Sequence, residues 1–113
     1  MLAFAVVLFL LAAVAGIVMA ARIFKSSTPR PPVATVHGLL AASALVIAVF
    51  VAFTQPSPPI VVYGAVILIV AALGGFFLLS FHVRGKAHPR AVVVLHALLA
   101  VTGVACLAVS LLR

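Results

Sequence analysis

The sequence predicts an all-α fold, a four-helix transmembrane bundle built from two parallel-repeat helix hairpins. Of its 113 residues, 68% are hydrophobic, and the chain has seven Lys and Arg residues but no Asp or Glu. A soluble domain of this size carries far more charge on its surface. Four apolar runs predict the four helices, and an internal similarity at a spacing of 59 residues predicts the two repeated hairpins. We therefore expect a single transmembrane domain over residues 1–113.

Each apolar run is long enough to cross a membrane. A transmembrane helix needs about 20 apolar residues to span about 30 Å of hydrocarbon. The runs cover residues 2–24, 33–54, 60–81 and 91–112. Prolines precede the second, third and fourth runs, where a missing backbone N–H costs least, and they predict helix starts.

The basic residues predict how the helices are oriented. Six of the seven lie in or beside two connections, namely Arg22, Lys25, Arg30, Arg84, Lys86 and Arg90. The remaining connection, TQPSPP, has no charge, and only Arg113 lies on its side of the membrane. The positive-inside rule then predicts cytoplasmic basic loops and outward-facing termini, periplasmic in a bacterial inner membrane. Lipid phosphates lie next to these residues, so the positive charge does not call for nucleic acid.

A shift of 59 residues aligns the first helix with the third and the second with the fourth. The two repeat units cover about residues 2–54 and 60–112. His37 aligns with His96, and the small pair Ala12 and Gly16 aligns with Ala71 and Gly75. Each unit has an even number of spans, so a pseudo-two-fold axis along the membrane normal should relate the units. We expect both histidines at equal depth, near the cytoplasmic side.

A histidine inside a membrane span is a candidate functional group, because burying it without a partner costs free energy. Positions four and seven after each histidine share its helix face. These positions hold Ala41, Ala44, Ala100 and Gly103. We expect the small residues to leave room for a planar macrocycle, haem b, whose iron is bound by His37 and His96. The basic loop residues, Arg30 and Arg90 among them, should hydrogen-bond its propionates.

Two other interpretations remain open. The histidines can be packing groups in a structural or accessory subunit that binds only lipid, or each can bind a chlorin in a pigment protein. Zinc fits less well, since no carboxylate or nearby cysteine completes a four-ligand site. The lack of carboxylates also excludes carboxylate acid–base catalysis. We expect an electron carrier or an accessory subunit, not an enzyme.

Residues 82–103, HVRGKAHPRAVVVLHALLAVTG, resemble part of the ascorbate-reducible transmembrane b-type cytochromes. The resemblance implies haem b held by histidines on neighbouring helices and electron transfer within the membrane. Only His96, and His82 as an alternative ligand, match ligand positions of that family. The family has more helices and a second haem site, which this chain does not match. In size and shape the chain is similar to the small haem-anchor subunits of membrane oxidoreductases.

The predicted function is a membrane-embedded b-type cytochrome with one bis-histidine haem. It would be a small subunit of, or a partner to, a larger redox complex. The expected partners are the lipid bilayer, that complex or further copies of the chain, and a quinone. His82, which directly follows the third run, is either an interfacial histidine that contacts water or lines a quinone or reductant pocket together with Arg84.

Overall fold

The computed structural model describes residues 1–113 and contains four α-helices and no strand. The helices are α1 Leu2–Phe24, α2 Pro31–Thr54, α3 Pro59–Val83 and α4 Arg90–Leu111. All four are long and apolar enough to cross a membrane, since about 1.5 Å per residue gives each more than the roughly 30 Å of the hydrocarbon layer. The predicted all-α transmembrane bundle is confirmed.

Three of the helices begin one or two residues earlier than the apolar runs suggest, and α4 does so at Arg90. Helix α2 begins at Pro31 and α3 at Pro59, because a proline in the first turn lacks only an N–H that has no intrahelical partner there. At the other end, α1 and α3 are followed by residues with left-handed backbone, Ser26 with φ 61° and Gly85 with φ 66°. These two residues end the helices in the same way and turn the chain into the basic loops.

The helices pair as two antiparallel hairpins. Helix α1 packs along α2 and α3 packs along α4, while fewer contacts join α1 to α4 and α2 to α3. Helices α2 and α4 therefore lie on one diagonal of the bundle and α1 and α3 on the other. The bundle measures 43 × 23 × 21 Å.

The tightly packed core lies toward the uncharged end of the bundle, away from the two basic loops. It comprises Val6, Phe9, Ala44, Ala48, Ala52, Val61, Ala65, Leu68 and Leu107. The outer surface is apolar as well, with Leu39, Phe53 and Phe76 each more than half exposed. Such a surface suits contact with lipid. Fewer side chains are buried in the basic half, where both intramembrane histidines lie.

Candidate functional site

His37 and His96 occupy equivalent places in the two hairpins. Each is the seventh residue of its helix, counted from Pro31 in α2 and from Arg90 in α4. Both side chains are half-buried and point toward the inside of the bundle, where their ring centroids are 6.3 Å apart. The ring planes form an angle of 74°. Although α2 and α4 are diagonal helices, the structure thus brings the two predicted ligands together at the centre.

One nitrogen of each ring is held by the neighbouring helix of the same hairpin. His37 Nδ1 lies 2.7 Å from the Ala12 carbonyl oxygen, and His96 Nδ1 lies 2.7 Å from that of Ala71. A carbonyl oxygen only accepts hydrogen bonds, so Nδ1 carries the hydrogen and donates it. In the neutral imidazole, Nε2 then keeps a free lone pair. Each hairpin therefore presents one Nε2 atom as a hydrogen-bond acceptor or metal ligand.

Glycines on α1 and α3 make room for the imidazole rings. A Cβ placed on Gly16 would lie 3.1 Å from His37 Cε1, and a Cβ on Gly75 would lie 3.1 Å from His96 Cε1. Ala12 and Gly16 are one turn apart on the same face of α1. The small pair thus supplies both the accepting carbonyl and the space for the ring. Sequence reasoning aligned these pairs in the two repeat units but did not connect them with the histidines.

Neither Nε2 atom has a protein partner. The side-chain hydrogen bonds of His37 and His96 involve Nδ1 alone. Among side-chain nitrogens and oxygens without a partner, only Nδ1 of His82 is fully buried. The Nε2 atoms are therefore not fully buried.

The small residues predicted to line the pocket mainly bring helices together. Ala44 is completely buried in the core of the uncharged half. Gly103 faces α3, because a Cβ there would lie 2.5 Å from Leu68 Cγ. Ala41 and Ala100, one turn beyond the histidines, are half-buried. Ala41 and Ala100 are thus the predicted lining residues that keep some free surface.

Six of the seven basic residues lie at one end of the bundle, in or beside the two basic loops. Arg90 Nη2 donates to Ser26 Oγ at 3.1 Å and to the Phe24 carbonyl at 3.4 Å, which joins the two basic loops. Arg22 Nε donates to the Thr28 carbonyl at 2.8 Å. Arg30 is exposed immediately before α2.

His82 and His88 form a second pair at the same end, with ring centroids 6.0 Å apart. His82 Nδ1 is buried and has no hydrogen-bond partner. Partial burial, and next the nearby His82, lower the pKa of His88 from its ordinary value of 6.5. The structure thus places the alternative ligand His82 beside a loop histidine.

The structure contains few side chains that could bind a metal ion together. No group of three or more His, Cys, Asp or Glu side chains could hold a metal ion. Cys106 is half-buried, and its Cβ lies 3.0 Å from the position that a Cβ on Gly64 would take. It is a packing residue between α3 and α4. The central pair offers two imidazole nitrogens and nothing else.

The chain was compared with known proteins, and no protein-family model, curated protein or solved structure matches it. The resemblance of residues 82–103 to transmembrane b-type cytochromes therefore stays a prediction.

Proposed function

We propose that the chain is a membrane-embedded b-type cytochrome that carries electrons through one haem bound by His37 and His96. The observation that carries the proposal is the matched geometry of the two rings. Each donates Nδ1–H to a backbone carbonyl and keeps Nε2 free. Metal-binding histidines characteristically make this hydrogen bond, which fixes the tautomer and orients the ring toward the metal.

The number of ligands also fits a haem. One haem would be held by one imidazole from each hairpin, His37 and His96, and would supply a redox-active iron. Both rings would then lie within a few ångströms of the iron, since metal–nitrogen bonds are about 2.0–2.1 Å long. The observed centroid distance is 6.3 Å. Fewer side chains are buried in the basic half than in the other half, which supports the insertion of a flat ring there.

The haem would supply reversible one-electron oxidation and reduction of its iron. The protein would supply the rest. Ala12 and Ala71 hold the imidazoles in one tautomer, and the surrounding apolar helices keep bulk water away from the site. Arg30 and Arg90 provide positive charge at the end where the propionates would lie. One haem needs a donor and an acceptor outside the chain, so the carrier would work beside a larger redox complex or further copies of itself, with a quinone as a candidate small partner.

A second candidate function is favoured by the same hydrogen bonds. Each histidine ties the two helices of its own hairpin together, which is a structural task that requires no cofactor. The chain would then be an accessory subunit that packs against a larger membrane complex. A chlorin on each Nε2 is the pigment-protein alternative. The experiment below distinguishes these functions from the cytochrome.

The experiment is a reduced-minus-oxidised visible spectrum of the protein purified after expression with haem supplied. We expect the sharp bands of a six-coordinate b-type haem. His37→Ala and His96→Ala should each abolish this spectrum, whereas His88→Ala, a matched control in the loop, should retain it. Loss in His82→Ala together with His96→Ala, but not in His37→Ala, would assign the second ligand to His82. Wild-type protein without haem bands would contradict the proposal, and a far-red band would indicate a chlorin.

We further propose that the basic loops face the cytoplasm of a bacterial cell and that both termini face the periplasm. The asymmetric charge supports this orientation. In a Cys106→Ala background, an impermeant maleimide should label Gln55→Cys in intact cells and Ser27→Cys only after lysis. The reverse labelling pattern would contradict this orientation.

A further inference from the structure

A cavity of about 250 Å³ lies between the two basic loops and does not include either intramembrane histidine, although it shares Arg90 with the proposed haem site. We call it the loop cavity. Its polar lining side chains come from both hairpins and are Ser26, Ser27, Thr28, Lys86, His88 and Arg90. Ser26 and Gly85, the left-handed residues that follow α1 and α3, both contribute to its wall.

The lining carries positive charge that the chain does not neutralise. Lys86 and Arg90 are cationic, and the sequence contains no Asp or Glu. Arg90 Nη2 donates to Ser26 Oγ at 3.1 Å, which holds the guanidinium at the cavity. An anion is therefore the partner that these two cations lack.

The lining residues also carry neutral hydrogen-bond donors. The hydroxyls of Ser27 and Thr28 donate to no protein group, unlike the hydroxyl of Thr35, which donates to Pro31 O. The backbone N–H groups of Thr28 and Ala87 also have no backbone acceptor. Backbone and hydroxyl donors next to Arg and Lys are the groups that bind phosphate oxygens in proteins.

We infer that the loop cavity binds a phosphate group. Its volume equals that of roughly eight water molecules at about 30 Å³ each, which accommodates a phosphate with part of its hydration shell. The cavity is smaller than the roughly 300–1,000 Å³ of sites for drug-sized ligands. The phosphate can belong to a lipid headgroup or to free phosphate, since the same donors bind both. This inference does not depend on the haem.

The test is titration calorimetry of the purified protein in an uncharged detergent, with two probes. One probe is inorganic phosphate and the other is a short-chain phosphatidic acid, with the matching phosphatidylcholine as the blank. We expect saturable binding of phosphatidic acid, of inorganic phosphate, or of both. Binding of both identifies a general phosphate site, and binding of the lipid alone identifies a headgroup site. Saturable binding of neither probe would overturn the inference.

Matched variants distinguish a specific phosphate site from general attraction of phosphate to the positive charge of the chain. Lys86→Gln removes a cation that lines the cavity, whereas Lys25→Gln removes one at the same end that does not. We expect Lys86→Gln to weaken binding about tenfold, and Lys25→Gln less than about threefold. Ser27→Ala removes a donor without changing the charge and should also weaken binding. Equal losses in Lys86→Gln and Lys25→Gln, with no effect of Ser27→Ala, would overturn the inference. Circular dichroism checks that each variant is folded.

Discussion

At the level of single residues, the main feature is the pair of imidazoles of His37 and His96. In each ring Nδ1 donates a hydrogen bond to a backbone carbonyl, and Nε2 has no protein partner. In a bilayer an unpaired N–H is costly, and the Ala12 and Ala71 carbonyls remove that cost. Each carbonyl lies in a helix, so the imidazole is a second donor to an oxygen that can accept two hydrogen bonds. Both hairpins make this contact between residues 25 positions apart.

Replacing either intramembrane histidine should destabilise the protein even when no haem is bound. His37→Ala and His96→Ala each remove an interhelical hydrogen bond and leave a gap beside a glycine, and we expect a loss of about 1–2 kcal/mol each. His82→Ala is the matched control, because the buried Nδ1 of His82 makes no hydrogen bond. Unfolding in sodium dodecyl sulfate, followed by circular dichroism, measures the difference. An equal loss in His82→Ala would contradict this explanation.

Acidification should destabilise the folded chain through His88. Partial burial and then His82 lower the pKa of His88 below its ordinary value of 6.5, so the unfolded chain binds the proton more readily. His88 therefore does not change the free energy of unfolding above about pH 6.5, and it lowers that free energy as the pH drops below this value. Lys86 and Arg90 lie in the same cavity wall, and His82 faces the ring.

The check is the thermal midpoint of unfolding at pH 7.5 and at pH 5. In wild type the midpoint should fall on acidification, and in His88→Gln it should fall less. An identical decrease in both proteins would show that His88 does not cause it.

At the element scale, glycines decide how closely the helices approach. Gly64 and Gly103 meet where α3 crosses α4, and a Cβ on Gly103 would lie 3.1 Å from the Gly64 carbonyl oxygen. This contact is available only to helices with small residues at the crossing. Gly38, next to His37, has nothing within 4 Å of its Cβ position. Gly103 is thus required for helix packing, whereas Gly38 is not.

Substituting these two glycines should give opposite results. Gly103→Ala should destabilise the bundle by about 1–3 kcal/mol, since the added methyl overlaps Leu68 and the Gly64 backbone. Gly38→Ala should be neutral or stabilising by up to about 1 kcal/mol, because alanine favours the helix. The same detergent unfolding assay measures both. A loss in Gly38→Ala as large as that in Gly103→Ala would show that this packing is wrong.

At the scale of the whole molecule, hydropathy was sufficient to predict the number, type and approximate limits of the helices. The alignment of His37 with His96 predicted that two histidines would occupy equivalent positions. Helix rotation was harder to predict, because all faces of these helices are apolar and the sequence does not mark which face contacts lipid. For that reason Gly103 was expected beside a macrocycle but packs against Leu68.

Contacts between different helices also escaped the sequence analysis. The hydrogen bonds to Ala12 and Ala71 involve backbone oxygens, which every residue has, so no side-chain pattern identifies them in advance. The only available signal was the recurrence of the same small pair, Ala12 with Gly16 and Ala71 with Gly75, at the spacing that also relates the histidines. The loop cavity likewise forms only when the two hairpins pack together.

The proposed function requires that the paired histidines bind one haem per chain. The most direct measurement is a titration of ferric haem into haem-free protein in an uncharged detergent, followed by the Soret absorption band. We expect a shift to a six-coordinate band that saturates at one haem per chain in wild type. A double variant with His37→Ala and His96→Ala should not show this shift. A titration in which wild type and the double variant take up haem equally would contradict the proposed function.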